Sequence, residues 1–167
     1  PLQVTAATAA TANDGDAKVP ATFSLSDAKY TGADDPSDQG VHFTYDYGAG
    51  WKFVRITPKE KVMIDKPAQS FGVWVRGNNS KCTMNMRFTD SNGVFYQPSF
   101  GQLNFDGWRY LSVRIDDPSK MFHWGNKDDV STIAYPIRID TFVLVDSTKA
   151  PIKADVDFAN FQLVFPQ

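Results

Sequence analysis

Seven residues whose types suit sugar recognition fall in one phase of three alternating stretches: Trp74, Thr83, Asn85, Arg87, Tyr110, Ser112 and Arg114. The opposite phase is apolar. It holds Phe71, Val73 and Val75, then Cys82, Met84, Met86 and Phe88, then Leu111, Val113 and Ile115. Period two predicts β-strands with one buried and one wet face. A sugar presents flat C–H faces and rings of hydroxyls. Its site needs aromatic planes to stack on and Asn, Arg, Asp or Tyr to hydrogen-bond in directed pairs. If the three strands are neighbours in one sheet, Trp74, Asn85, Arg87 and Tyr110 form such a surface. The plainer alternative is an ordinary solvated face.

Two further tryptophans sit at turns. Trp51 follows Gly48-Ala49-Gly50, and Trp124 lies in the run His123-Trp124-Gly125-Asn126. An aromatic at a loop tip leaves apolar area in water unless it meets something. Both are candidate ligand platforms, with Tyr47, Tyr96 and His123 as candidate neighbours whose geometry the sequence does not give. The alternative role is to cap the ends of a core. Catalytic options are few. The chain has 18 Asp but a single Glu, Glu60, and two histidines, His42 and His123. No carboxylate pair stands out for glycoside hydrolysis, and there is no nucleophile elbow or phosphate loop. One Glu and many loop Asp leave a small hydrolase open, and a small lyase built on His42, Tyr45, Arg55 and Tyr96 is the other enzymatic arrangement. One cysteine, Cys82, excludes an internal disulfide, and its inward phase makes it a small buried residue. One Cys and two separated His make no zinc set.

The elements that must position these residues are short. The chain has 167 residues, one domain's worth. Its net charge of -2 builds no field for nucleic acid or an anionic membrane. No apolar run nears the roughly 20 residues of a membrane-spanning helix. A chain that starts at Pro1 reads as a piece of something longer. Residues 1–19 are rich in Ala and Thr and read as a lead-in or linker, with one short edge strand at Leu2–Val4. Residues 20–167 read as the domain. Strands are expected at 21–26, 41–47, 51–57, 62–64, 71–76, 82–88, 95–97, 110–115, 136–145 and 155–165. Asn78-Asn79-Ser80 and Asp90-Ser91-Asn92-Gly93 supply turns, since Asn and Gly tolerate positive φ. Residues 98–106 and 116–136 read as loops, the second long enough to suggest function. The apolar phase of the last strand changes between Phe158 and Phe161, which predicts a bulge near Ala159-Asn160. About ten strands and no amphipathic helix predict an all-β fold, a β-sandwich of two antiparallel sheets.

The run GVWVRGNNS…MNMRFTDSNGVFY…GWRYLSVRID resembles the jelly-roll, galactose-binding-like carbohydrate-binding modules. The matching residues are Gly72, Trp74, Val75, Gly77, Arg87, Asp90, Gly93, Gly107, Trp108 and Tyr110. HWGNKDD…YPIRIDTFVLVDS and the closing ADVDFANFQLVF are similar to later segments of those domains. The likeness covers residues 70–165. It implies a jelly roll that binds a polysaccharide or oligosaccharide without catalysis, as a monomeric unit of a larger extracellular protein, and holds an appended carbohydrate-active enzyme near its substrate. It also implies a structural Ca²⁺, with Asp157 at the position that often serves as ligand. The family's early acidic ligand follows the first-strand Phe. Here Phe23 is followed by Ser24, which leaves Asp27, Asp34, Asp35 or Asp38 for that role. A structural or interaction sandwich with no glycan site is the competing reading.

Overall fold

The computed structural model describes residues 7–15, 21–29, 39–47, 52–58, 61–126, 131–146 and 152–166, with side chains in 41–45, 54–57, 61–126, 131–145, 153–159 and 161–166. Among them are thirteen strands: Ala7–Gly15 (β1), Ala21–Lys29 (β2), Gln39–Tyr47 (β3), Lys52–Pro58 (β4), Val62–Ile64 (β5), Ser70–Asn78 (β6), Thr83–Thr89 (β7), Val94–Gln97 (β8), Ser99–Gln102 (β9), Asp106–Arg114 (β10), Phe122–Gly125 (β11), Ile137–Asp146 (β12) and Ile152–Val164 (β13). They form two antiparallel sheets, a β-sandwich of the jelly-roll kind. The larger runs β1-β4-β12-β7-β8-β11, with β5 beside β12 and β9 beside β7. The smaller runs β10-β6-β13-β3-β2.

The alternation read from sequence is the alternation of burial. Along β7, Met84, Met86 and Phe88 are buried while Thr83, Asn85, Arg87 and Thr89 are half-buried. Between the sheets, Phe142 of the larger packs on Phe71, Phe158 and Phe161 of the smaller. Cys82 is buried, and its sulfur hydrogen-bonds the Tyr45 hydroxyl across the sandwich. The register of β13 against β6 shifts between Ala159 and Gln162, at the expected bulge.

Three segments depart from the sequence reading. Residues 7–15, expected within a lead-in, form β1 and pair antiparallel with β4. An edge strand is held by main-chain hydrogen bonds, which composition does not register. Residues 98–106 contain β9, paired with β7. The connection 116–136 contains β11, paired with β8, and a 3₁₀ turn at Pro118–Lys120. Both short strands lie among turn formers, Pro98 and Gly101 for β9 and Pro118 and Gly125 for β11, which read as loop. The strand expected at Leu2–Val4 lies outside the described residues.

The motif residues Gly77, Asp90 and Gly93 have structural work. A Cβ at Gly77 would stand 2.7 Å from the Phe105 carbonyl oxygen. That oxygen is held, because it accepts from Asn79 N at 2.8 Å. Gly77→Ala is therefore expected to destabilise the fold by about 1–3 kcal/mol, through overpacking against a backbone that cannot yield. Urea denaturation measures it; an unchanged midpoint would refute the argument. Gly93 has φ +80 in the hairpin between β7 and β8. The Asp90 carboxylate, only 5% exposed, accepts from Asn92 N, Val94 N and Ala134 N. It ties that hairpin to the segment leading into β12.

Tyr135 anchors the same segment. Its hydroxyl accepts from Ala68 N at 3.0 Å. Burial raises the phenol above its ordinary value near 10, and this outweighs the lowering by Ala68 N. A raised folded-state pKa means stability is complete below about pH 10 and falls as pH rises through the folded value. Denaturation midpoints across this alkaline range are expected to fall in the parent and to fall less in Tyr135→Phe. Equal slopes would count against Tyr135 as a source.

Candidate functional site

The residues expected to share one surface divide between the two outer faces of the sandwich. Trp74 and Tyr110 lie on the smaller sheet, directly opposite each other on β6 and β10. Asn85 and Arg87 lie on β7, in the larger sheet. The turn after β6 carries the chain across to the other sheet instead of closing a hairpin. Asn79 and Lys81 make that passage with φ of 55° and 66°.

The outer face of the larger sheet carries the denser cluster. Arg87 donates from Nε and Nη2 to Gln97 Oε1 at 3.1 and 2.9 Å. Its guanidinium carbon lies 4.9 Å from the Trp124 ring centre. This is a cation–π contact with the ring's negative face. Trp124 sits opposite Phe95 in the β11–β8 register. Their rings stack 5.5 Å apart at 11°. Phe122, one alternation earlier on β11, approaches Trp124 at 5.3 Å and is 68% exposed. An aromatic platform thus lines the β11 edge, with an arginine laid on it.

A cleft of about 510 Å³ adjoins this platform. Its lining includes Arg55 and Thr57 from β4, Lys61, Arg87, Phe95, and Arg138 through Thr141 from β12. The β12–β7 register shifts between Ile139 and Thr141, so β12 carries one extra residue there. A bulge of this kind re-aims side chains; Asp140 is the residue inserted. Its Oδ1 accepts from Arg138 Nε at 2.7 Å, and its Oδ2 accepts from Thr89. Thr141 donates to the Ile56 carbonyl at 3.0 Å. Asn85 is two residues from Arg87 in the same phase, and its Oδ1 is enclosed without a hydrogen-bond donor.

The outer face of the smaller sheet is built differently. The Trp74 and Tyr110 rings meet at 5.6 Å and 57°. Tyr110 lies flat over Gly72, where a Cβ would stand 1.8 Å from the tyrosine oxygen. One row further, Arg76 donates to Asp157, and to Asp155 at 2.5 Å. Burial works against the Arg76 charge, but hydrogen bonds and attraction from the two carboxylates outweigh it and raise its pKa. His42 Nδ1 hydrogen-bonds Asp157 Oδ1 at 2.8 Å.

Ligand atoms of His42, Asp155 and Asp157 lie within 4.8 Å of one another. They do not fit Ca²⁺. Calcium takes six or more oxygens, whereas Asp157 gives one oxygen to His42 and the other to Arg76. Asp157 is also out of step with Asp27: the register sets Asp157 opposite His42, and Asp27 opposite Val41.

Of the other expected site residues, Tyr96 is wholly buried and stacks on Phe88 at 5.3 Å in the core. It is corrected to a packing residue; Phe95, its neighbour in the opposite phase, faces outward. Trp51, Asp34, Asp35 and Asp38 lie outside the described residues. The arrangement imagined for a lyase does not assemble. Tyr45 and Tyr96 are core residues, and Arg55 and His42 are on different sheets. Sequence reasoning missed Phe122, Phe95, Lys61, Arg138 and Asp140. The alternation Phe122-His123-Trp124 and the length of the 116–136 connection were the available signals for the first.

The fold is that of an antiparallel β-sandwich with a lined cleft on one outer face. The family described as flagellar filament outer layer protein FlaA matches residues 61–159, more than half of the chain. The chain belongs to this family. No curated protein sequence matches it. Among solved structures it is similar to a family 11 carbohydrate-binding module from Clostridium thermocellum in complex with a β-1,3-1,4-mixed-linked tetrasaccharide, at 13% identity and TM-score 0.49, over 91% of each chain. It is also similar to TmCBM61 in complex with β-1,4-galactotriose, at 12% identity and TM-score 0.44, over 90% of each chain. A third is an exo-β-agarase, at 16% identity and TM-score 0.49, over 92% of this chain and 24% of that one. No helix among the described residues is long and apolar enough to cross a membrane.

Proposed function

We propose that this chain is a surface-exposed unit of a flagellar filament's outer layer, and that it binds saccharide, without catalysis, on the outer face of its larger sheet. One observation carries the reading. Arg87, Trp124, Phe95 and Phe122 form an aromatic and guanidinium platform beside a cleft large enough for one or two sugar rings. Exposed Phe122 offers apolar area to a sugar's C–H face, and the cleft offers directed donors. The family's name supports the setting. The non-catalytic reading rests on the cleft's chemistry. Among the described residues its one carboxylate, Asp140, is held by Arg138 and Thr89 and has no second carboxylate across the cleft to work with. Repetition along a filament would turn weak single sites into strong adhesion, in place of the targeting of an appended enzyme that the resemblance implied.

The test is electrophoresis of the purified protein through gels holding neutral or acidic polysaccharides. Phe122→Ala and Trp124→Ala are run beside Trp74→Ala, which alters the opposite face. Retardation lost in the first two and kept in the third supports the reading. A folded protein retarded by no polysaccharide in the panel would instead assign this chain to packing within the layer.

A further inference from the structure

We infer that the saccharide this face takes is anionic, with its carboxylate or sulfate seated among Arg55, Lys61 and Arg138. The inference rests on the saccharide-binding reading and names its ligand class.

The described lining holds four cations, Arg55, Lys61, Arg87 and Arg138, and one carboxylate, Asp140. That is a formal excess of three positive charges among the described lining residues, in a chain whose net charge is -2. A cleft lined by one sign of charge concentrates the field and draws in the opposite sign. The hydrogen-bonding inventory points the same way. A neutral sugar needs acceptors as well as donors, because each hydroxyl both gives and takes. Here the one carboxylate of the described lining already takes protein hydrogen bonds. Both Asp140 oxygens are engaged, and Gln97 Oε1 receives two bonds from Arg87. What the cleft offers in excess is N–H. Guanidinium groups suit planar oxyanions, which they bind through paired bonds. Lys61 is exposed and adds a movable charge beside them. The stacked Phe95 joins cleft to platform, since it lines the first and packs on Trp124 in the second. One uronic acid or sulfated sugar can therefore place its charge in the cleft while a neighbouring ring lies on the aromatics.

The experiment compares polygalacturonate, alginate, hyaluronan and chondroitin sulfate with neutral galactan and with carboxyl-reduced forms of the first three. Binding is measured calorimetrically at low and raised NaCl. Lys61→Gln, Trp124→Ala and inorganic polyphosphate serve as controls. Lys61 is exposed, so its variant tests charge without disturbing the core. The expected result is tight binding of at least one acidic polymer and weak binding of its neutral form. Salt should weaken it. Lys61→Gln should weaken it roughly tenfold, the loss of one charge-assisted bond, and Trp124→Ala should weaken it too. Neutral polymers that bind as tightly, with Lys61→Gln unchanged, would overturn the inference and leave the saccharide-binding reading standing. Polyphosphate binding as tightly, with Trp124→Ala unchanged, would overturn it in favour of a general polyanion patch. Binding of no saccharide, neutral or acidic, would overturn the underlying reading and this inference with it.

Discussion

Trp124→Ala is expected to lower saccharide affinity roughly thirtyfold, about 2 kcal/mol, while the fold survives. The indole does two jobs. It stacks on Phe95, and it seats the Arg87 guanidinium. Removing it deletes the centre of the platform. Arg87 then keeps its two bonds to Gln97 but loses the ring that holds its plane. Phe122 loses the neighbour it leans on at 5.3 Å. The backbone cost is small. Trp124 is on edge strand β11, and its main-chain pairing with Phe95 does not depend on the side chain. Titration calorimetry on whichever polysaccharide retards the parent gives the number. Trp74→Ala, on the other sheet, is the matched control and should bind like the parent. Equal affinities for Trp124→Ala and the parent would remove this face from consideration.

Phe142→Ala is expected to have the largest effect on stability, about 3–5 kcal/mol. Phe142 is on β12 at the centre of the larger sheet and is 3% exposed. Its ring packs on Phe161 at 4.4 Å and approaches Phe158 and Phe71 at 6.3 Å each. All three partners come from the smaller sheet. The substitution therefore removes atoms on which both sheets converge, and β strands paired on both sides cannot shift inward to refill the space. Domains of this kind have only about 5–15 kcal/mol in total. A large fraction of the protein should unfold at modest urea. A change below about 1 kcal/mol would mean that the two layers repack freely, contrary to the geometry.

Much of the architecture was legible. The β5 bounds, the inward phase of Cys82, the positive-φ glycine of the β7–β8 hairpin and the β13 bulge all follow from local rules of side-chain alternation and turn chemistry. The short strands β9 and β11 did not follow, because they lie among turn formers such as Pro98, Gly101, Pro118 and Gly125. β1 did not, because main-chain pairing at an edge asks little of the side chains. The site was legible in its residue types and misassembled in space. Trp74 and Tyr110 came out as true neighbours, but Asn85 and Arg87 went to the other face. Tyr96, expected at the ligand, is buried, and Phe95, given no role, faces outward, because a four-residue strand has two phases and sequence does not say which is inward.

The amino-acid sequence by itself determined the all-β class, most strand positions and, within each long strand, which residues share a side. Those are local properties, set by the two-residue repeat of an extended chain. Only the tertiary structure decided which strands lie side by side. Pairing joins residues far apart in sequence, such as Arg138 with Thr89 or Trp124 with Phe95, and depends on how two apolar faces close over one core. That closure set an aromatic platform and, among the described residues, four cations beside it on one face, and on the other it paired Arg76 with Asp155 and Asp157.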